Sequence, residues 1–367
     1  ERLCWQKTLP TQDELGILAR RFPIRSRAAS PPKNDELEGS EGRLTRRGLS
    51  QLRTLGKYLR QRYTGECAPR VISSNYARTQ QSAQSLLSGY FHGDASGRRG
   101  IEISVPPIEK CVIDMFSRYG DIHTLAAELG ESTAFRNHEI RHELDDVRRD
   151  LESMPLFEQN AFMWFKAVDI LTCYNCHRDD VPAPHDLTDL FLDDNIFSKS
   201  STYLHWRFIQ YYSDQRIMDL ATRDILASIA AALQHTDLDI LRESASTAQE
   251  NIPSMDLYSG HDVTILPLLM RLSQVDLNGE ARNFLWPGYA SHLQVESWSA
   301  GDIEHVEPIV VVRYINGDRF DEIKSSCIPE EIETVRAEFR DGFVDPACIA
   351  VFTGSEFQQQ FAGATLR

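Results

Sequence analysis

The chain has no long hydrophobic run and no internal repeat. Its longest apolar stretches, around residues 225–233 and 309–312, are much shorter than the roughly 18–20 residues that a helix needs to span a bilayer. The sequence therefore predicts no transmembrane segment. Its 367 residues, of which 41% are hydrophobic, are enough to bury a substantial core in one large domain or two closely associated ones.

Basic residues are too few to balance the acidic ones. The chain has 39 Lys and Arg against 54 Asp and Glu, which gives a net charge of -15. Such a balance argues against nonspecific attraction to nucleic acid or to anionic membrane surfaces. We therefore expect no nucleic-acid partner.

The sequence also contains no Asn-x-Ser/Thr glycosylation site, which weighs against a secreted glycoprotein. Its seven cysteines are an odd number, so an oxidising compartment would leave at least one of them unpaired or bonded to another chain. These features leave the compartment open between the mitochondrion and the secretory route, and we prefer the mitochondrion slightly.

The first part of the chain alternates between strand and helix patterns. Residues 15–20 read as a short apolar strand, and residues 45–63 carry leucines at helical spacing. A strand at 71–73 leads into a helix through residues 83–87, and a turn-rich break at 93–100 precedes a strand at 101–105. This order predicts a mainly parallel sheet covered by helices, an α/β fold.

From residue 115 to residue 203 the pattern changes to polar helices interrupted by prolines, which we interpret as an inserted α-helical cap. The predicted domains are thus residues 1–110 with 204–367 (α/β) and residues 111–203 (cap). In the last part we expect one long helix at 204–233 and a strand at 256–259. An antiparallel hairpin is predicted at 291–299 and 306–314, with its turn at 299–302. The acidic stretch 35–42 is predicted to be a solvated loop.

Three segments resemble the histidine acid phosphatases (histidine phosphatase superfamily, branch 2). Residues 44–63 match the family's L-T-x-x-G-x-x-Q-x-x-x-L-G-x-x-L-R-x-R-Y run, residues 71–79 resemble its strand-to-helix segment ending in an arginine, and residues 258–264 resemble its Y-S/A-x-H-D-x-T segment. The continuation at 265–270 is most similar to the lysophosphatidic-acid phosphatase branch. The resemblance implies a three-layer α/β/α fold of the phosphoglycerate-mutase type, with a mainly parallel central sheet and the helical cap.

A fourth segment, residues 21–27 (R-F-P-I-R-S-R), resembles the family's R-H-G-x-R-x-P signature, with Phe22 in place of the nucleophilic histidine. By the same resemblance, a guanidinium clamp for phosphate and a neighbouring imidazole would be retained as a vestigial site. Arginine suits that role because its planar fork donates paired hydrogen bonds to phosphate. The phosphate-binding residues implied are Arg21, Arg25, Arg78 and His261.

Asp262 would be the proton donor of such a site, but the nucleophile is missing. Phe22 has no lone pair with which to attack phosphorus. Pro23 replaces the motif's glycine and removes a backbone donor, and the first histidine of the chain is His92. Ser26 could accept a phosphoryl group in principle, but no base is evident beside it. Loss of a nucleophile of this kind lowers rates by about 10⁴ to 10⁶.

We therefore interpret the chain as a catalytically inactive pseudo-phosphatase retained as a structural or interaction protein, for instance an accessory subunit of a larger, mitochondrial assembly. Its expected partners are other protein subunits. One alternative is a module that binds phosphate, or a phosphorylated small molecule or lipid, without hydrolysis. Another is an active acid phosphatase with an atypical nucleophile.

Two other motifs match known chemistry only superficially. Residues 138–142 spell the zinc-protease string H-E-x-x-H, but the surrounding charge is typical of a solvated helix, and we expect no metal. Residues 173–177 spell C-x-x-C-H, which favours a reducible dithiol or a disulfide over covalent haem, and we expect no cofactor. By family resemblance, Cys111 and Cys348 would form a disulfide.

Overall fold

The computed structural model describes residues 2–30, 42–63, 69–92, 101–158, 160–183, 187–243, 255–273, 286–298, 308–316 and 348–362. Its helices are α1 (Arg2–Thr8), α2 (Gln12–Arg21), α3 (Arg46–Arg62), α4 (Ala77–Tyr90), α5 (Met115–Arg118), α6 (Gly120–Gly130), α7 (Thr133–Arg141), α8 (Leu144–Glu152), α9 (Trp164–His177), α10 (Thr188–Leu192), α11 (Asp194–Ser213), α12 (Gln215–Glu243), α13 (Asp262–Leu272) and α14 (Gly354–Phe361). Its strands are β1 (Ile24–Ser26), β2 (Arg70–Ser73), β3 (Ile103–Val105), β4 (Asp256–Ser259), β5 (His292–Trp298), β6 (Ile309–Ile315) and β7 (Cys348–Thr353).

The chain divides into two compact units. The α/β unit comprises Pro10–Leu37, Gly42–Arg118 and Asp219–Arg367, and the helical unit consists chiefly of Glu1–Leu9 and Tyr119–Met218. The domain bounds predicted from the sequence, with a cap at 111–203, remain a prediction.

The α/β unit is built on a parallel sheet with strand order β1-β3-β2-β4. Successive side chains of a strand point to opposite faces of a sheet, so Val71 and Ile72 of β2 enter different cores. Val71 packs with residues of α3 and α4, and Ile72 packs against a cluster from α12, α13 and the second sheet. The predicted α/β fold, with helices on both faces of a parallel sheet, is confirmed.

Helices α3 and α4 pack closely because two glycines allow their backbones to touch. A Cβ atom on Gly56 would overlap the Leu86 carbonyl oxygen, and one on Gly89 would overlap the Arg53 carbonyl oxygen. Helix α3 begins where the sequence predicted, since the Thr45 side chain accepts a hydrogen bond from the Gly48 N–H (3.2 Å). The glycines therefore fix the layer that covers one face of the sheet.

A second sheet is antiparallel, with strand order β5-β6-β7, which confirms the predicted hairpin. It carries a buried ion cluster. Arg62 donates to both carboxylate oxygens of Glu296 (2.9 and 3.2 Å), and Arg313 and the Tyr63 hydroxyl donate to the same carboxylate. Burial raises the pKa of Glu296, but the hydrogen bond from Arg62 and the charge of Arg313 outweigh it and hold that pKa below its ordinary value. On the same strand, burial lowers the pKa of His292 to about 4.

Two sequence predictions about secondary structure are wrong. Residues 15–20 lie in helix α2 because Thr11 and Glu14 form a capping box, in which each side chain binds the other residue's backbone N–H. The long helix predicted at 204–233 is interrupted at Asp214, whose backbone is extended and whose carboxylate accepts a hydrogen bond from the Arg216 N–H (2.9 Å), so that α12 starts anew.

The helical unit confirms the helices predicted between residues 115 and 203. Its core is an apolar cluster from α8, α9 and α11 that includes Leu151, Ala167 and Tyr203, each almost fully buried. No described helix is long and apolar enough to cross a membrane.

The cysteine pairing expected from family resemblance is contradicted at Cys111. This residue carries a free thiol and packs with Ile113 and Leu226 in an apolar cluster, where burial raises the pKa of the thiol. The predicted break at 93–100, the hairpin turn at 299–302 and nearly all of the acidic loop at 35–42 lie outside the described residues.

Candidate functional site

The candidate site lies where β2 and β4 end. These strands are parallel neighbours, with Ser73 opposite Ser259, and the Ser74 N–H donates to the Ser259 carbonyl oxygen (3.2 Å). The chain then enters α4 after β2 and α13 after β4. Two helix N-termini, with their exposed backbone N–H groups and positive dipole ends, therefore begin at the same edge of the sheet, where α/β proteins bind ligands.

Two residues predicted from the sequence, Arg78 and His261, come together at this edge. Arg78 lies in the first turn of α4 and His261 precedes α13, and the Arg78 Nη2 is 3.5 Å from the His261 Nδ1. Tyr76 contacts both: the Arg78 guanidinium lies 4.5 Å from the centre of its ring, and the His261 ring meets it edge-on at 4.8 Å. The arrangement places a fixed cation and an imidazole beside two helix N-termini, which is chemistry suited to an oxyanion.

Sequence reasoning missed the hydroxyl groups beneath this pair. The Ser74 Oγ lies 3.0 Å from the His261 Nε2 and 2.9 Å from the Thr79 Oγ1, and Ser73 donates to Thr79 (3.2 Å). Ser73 and Ser74 are fully buried, and Thr79 is nearly so. The signal for them was present as two serines at the end of a predicted strand, followed by Thr79 in the first turn of the helix that comes next.

The carboxylate of Asp262 is held by two donors. Its Oδ1 accepts a hydrogen bond from the Val263 N–H (2.8 Å), and its Oδ2 accepts one from the Trp286 indole N–H (3.0 Å), a contact that the sequence did not predict. Although solvent reaches this side chain, the surrounding protein desolvates it and raises the pKa of Asp262, against the effect of the two hydrogen bonds. Both oxygens thus serve as acceptors.

Phe22 lies at the opposite end of the sheet. It caps α2 and precedes β1, and the Pro23 carbonyl that follows it bonds the first residue of β3, Ile103, so Phe22 is at the amino edge of the parallel strands. It is 1% exposed, and Gln84 donates to its carbonyl oxygen (2.9 Å). Phe22 is therefore a core residue, placed away from the edge that carries Arg78 and His261.

The three arginines of the predicted clamp are not brought together. The Arg21 Nη2 donates to the Phe91 carbonyl oxygen (2.7 Å) at the C-terminal end of α4, 13 residues and hence about 20 Å along the helix from Arg78. Arg25 lies on β1, two strands or about 10 Å from β2, and its exposed side chain pairs with Glu102 (3.5 Å). Arg78 alone among them lies beside His261.

The other two motifs lie in the helical unit. In the H-E-x-x-H segment, His138 stacks on Trp206 (3.6 Å between ring centres), and Glu139 accepts a hydrogen bond from Tyr203. Within the described ranges, no three His, Cys, Asp or Glu side chains are grouped to hold a metal ion. The two cysteines of the C-x-x-C-H segment lie one turn apart on α9.

Comparison with known proteins agrees with this architecture. Two curated relatives are similar to the chain: the lysosomal acid phosphatase of Bos taurus (24% identical over 289 residues) and the lysophosphatidic acid phosphatase type 6 of Pongo abelii (23% over 281 residues). These matches cover 71% and 70% of this chain, but only 61% and 56% of the relatives, so the chain spans about three fifths of their length.

Two solved structures are more distant matches. The phytase from Citrobacter braakii is 15% identical, with a TM-score of 0.47, 98% of this chain covered and 94% of the phytase. The phytase from D. castellii is also 15% identical, with a TM-score of 0.40 and coverage of 74% and 57%. The profile of the histidine phosphatase superfamily (branch 2) matches residues 19–315. Because that match includes most of the chain, with β2, β4 and the residues Arg78 and His261 that follow them, the chain belongs to the histidine phosphatase superfamily, branch 2.

Proposed function

We propose that this chain is a non-hydrolysing member of its superfamily, in which Arg78 and His261 bind a phosphate-type anion without turning it over. The observation that supports this most directly is the 3.5 Å approach of the Arg78 guanidinium to the His261 ring at the start of two helices. An oxyanion entering between them would receive hydrogen bonds from a permanent cation, from the imidazole and from the backbone N–H groups of the first turns.

The absence of turnover is supported by two placements. Phe22 lies in the core at the amino edge of the sheet, and Arg21 is bonded to the end of α4. One of the curated relatives is a lysophosphatidic acid phosphatase, and on that basis we propose a phosphorylated lipid or small molecule as the ligand class.

Binding is tested by calorimetry and thermal melting with inorganic phosphate and tungstate at millimolar concentration. We expect Arg78→Gln to weaken phosphate binding by at least about tenfold, since a hydrogen bond to a charged group contributes about 1.5–3 kcal/mol. Arg25→Gln is the matched control because it removes an arginine whose contact is an exposed ion pair, and it should change binding by less than about twofold. Equal losses in the two variants would refute the site.

Turnover is tested separately with p-nitrophenyl phosphate between about pH 4 and 8. We expect no hydrolysis above a buffer control. Hydrolysis that disappears in Asp262→Asn would contradict the proposal and would favour the alternative of an active phosphatase with an atypical nucleophile.

We also propose that the protein acts through protein partners, as an accessory subunit of a larger assembly in the mitochondrion. The helical unit offers exposed apolar side chains that a partner could cover, namely Ile140 (68% exposed), Leu192 (58%) and Phe165 (51%). Native size measured by mass photometry of the protein isolated from its source would test this role. A monomer that co-purifies with no other chain would refute it.

A further inference from the structure

The hydroxyl groups of Ser74 and Thr79 connect to His261 through hydrogen bonds, and the donor and acceptor of each bond can be assigned. Thr79 has one hydroxyl proton, and its oxygen lies 3.0 Å from the Tyr76 carbonyl oxygen and 3.2 Å from the Ser74 carbonyl oxygen, both of which can only accept. When Thr79 donates to a carbonyl, its oxygen is left to accept from the Ser74 hydroxyl at 2.9 Å. Ser74 has then used its own proton and must accept one from the His261 Nε2 at 3.0 Å.

The other side of the ring favours the same assignment. Arginine has N–H donors and no acceptor, so the Nδ1 that faces the Arg78 Nη2 at 3.5 Å is better placed to present a lone pair when the ring is neutral, although this contact is weaker than the 3.0 Å contact between Nε2 and Ser74. Both ends of the network thus place the proton of neutral His261 on Nε2. Because Ser74 accepts from Nε2–H, this bond also survives when the ring takes up a second proton, and that proton can be bound only at Nδ1.

We propose that Ser74 and Thr79 are positioning residues that hold His261 as the Nε2–H tautomer and make Nδ1 the nitrogen that gains a proton when an anion binds. This inference rests on the anion site proposed above. An oxyanion between Arg78 and His261 needs a donor on each side, so binding converts neutral imidazole to imidazolium by uptake of one proton from solvent. Arg78 on α4 and Tyr76 before it contact the His261 ring, and Asp262 follows His261 in the chain as the first residue of α13.

The tautomer is measured on the ligand-free protein by long-range ¹H–¹⁵N NMR of the histidine rings, with His261→Gln used to assign the signals. We expect protonated Nε2 and unprotonated Nδ1 in the wild type at pH 8. Ser74→Ala should leave a mixture of tautomers, and Thr79→Val should shift the ring toward Nδ1–H, because the Ser74 hydroxyl loses its acceptor and becomes able to donate to Nε2. Ser73→Ala is the matched control, since Ser73 is equally buried and bonds Thr79 without an observed contact to His261.

Phosphate is then titrated into the same samples. In the wild type we expect the Nδ1 signal to move to the protonated position at saturation, and Ser74→Ala to bind phosphate about fivefold more weakly. A ligand-free ring protonated on Nδ1, or a tautomer unchanged in Ser74→Ala, would overturn the inference. Because the tautomer is read without ligand, a failure of phosphate binding alone would refute the proposed function and leave the tautomer result standing. If Ser74→Ala does not fold, Ser74→Thr keeps the hydroxyl and must retain the Nε2–H tautomer.

Discussion

Substituting histidine at position 22 tests whether this residue belongs to a reaction site or to the hydrophobic core. Judged from the family signature alone, Phe22→His would restore the nucleophilic histidine. In the structure, however, the Phe22 ring is 1% exposed, lies 6.4 Å from the Phe91 ring and belongs to an apolar cluster with residues of α3, α4 and the sheet. The substitution would lose apolar contacts and bury a polar ring without a designed partner.

We expect Phe22→His to lower the free energy of unfolding by about 3 kcal/mol, since truncation of a buried phenylalanine costs about 3–5 kcal/mol and a buried unpaired polar group about 1–3 kcal/mol, while the imidazole recovers part of the ring contact. Burial would place the pKa of the introduced imidazole below the roughly 6.5 of the unfolded chain. The unfolded state then binds protons more readily, so the loss should grow as the pH falls below about 6.5.

The assay is urea unfolding followed by circular dichroism at pH 7.5 and 5.5, together with hydrolysis of p-nitrophenyl phosphate. Phe22→Leu is the control and should cost less than Phe22→His, and equally at both pH values, because it adds neither a polar nor a titratable group to the core. A Phe22→His variant as stable as the wild type, or one that hydrolyses the substrate, would refute the placement of residue 22 in the core.

The remaining predictions concern the buried ion cluster around Glu296, the buried His292 on the same strand, and the contact between helices α3 and α4. Glu296→Gln should destabilise the protein by about 3–5 kcal/mol in urea unfolding, because two buried arginines lose their counter-charge; an effect below about 1 kcal/mol would contradict the ion cluster. The lowered pKa of His292, about 4, means that stability should fall as the pH drops below about 6.5, and His292→Gln should remove up to about 3 kcal/mol of that dependence between pH 7 and 4. Gly56→Ala should cost about 1–3 kcal/mol by overlap with the Leu86 carbonyl, whereas Gly120→Ala, with open space around it, should leave the melting temperature unchanged or slightly raised.

Local patterns predicted most of the α/β unit. The leucine spacing of α3, the β2–α4 segment and the strand that precedes His261 were read correctly because each has its own periodicity and its own turn residues. The prediction of a strand at 15–20 was wrong because it relied on the apolar residues of that segment alone, although the Thr11–Glu14 capping box upstream was visible in the sequence. The break between α11 and α12 was missed because Asp214 and Arg216 resemble ordinary helix-surface residues.

The candidate site was predictable in part. Arg78, His261 and Asp262 follow strands that end at one edge of a parallel sheet, so their proximity follows from strand order. The contacts of the Ser74 hydroxyl and the Trp286 indole depend on the exact depth and rotation of side chains from distant segments, which no spacing rule specifies.

By itself, the sequence determined the family, the parallel sheet and the pair of loops that carry Arg78 and His261, because these depend on local periodicity and on short motifs. Only the tertiary structure decided the role of Phe22. A motif match does not show at which end of a strand a residue lies, whereas the pairing of β1 with β3 places Phe22 at the amino edge and in the core. The direction of the hydrogen bonds around His261 was likewise decided by packing, since it depends on which acceptors the fold brings within reach of Ser74 and Thr79.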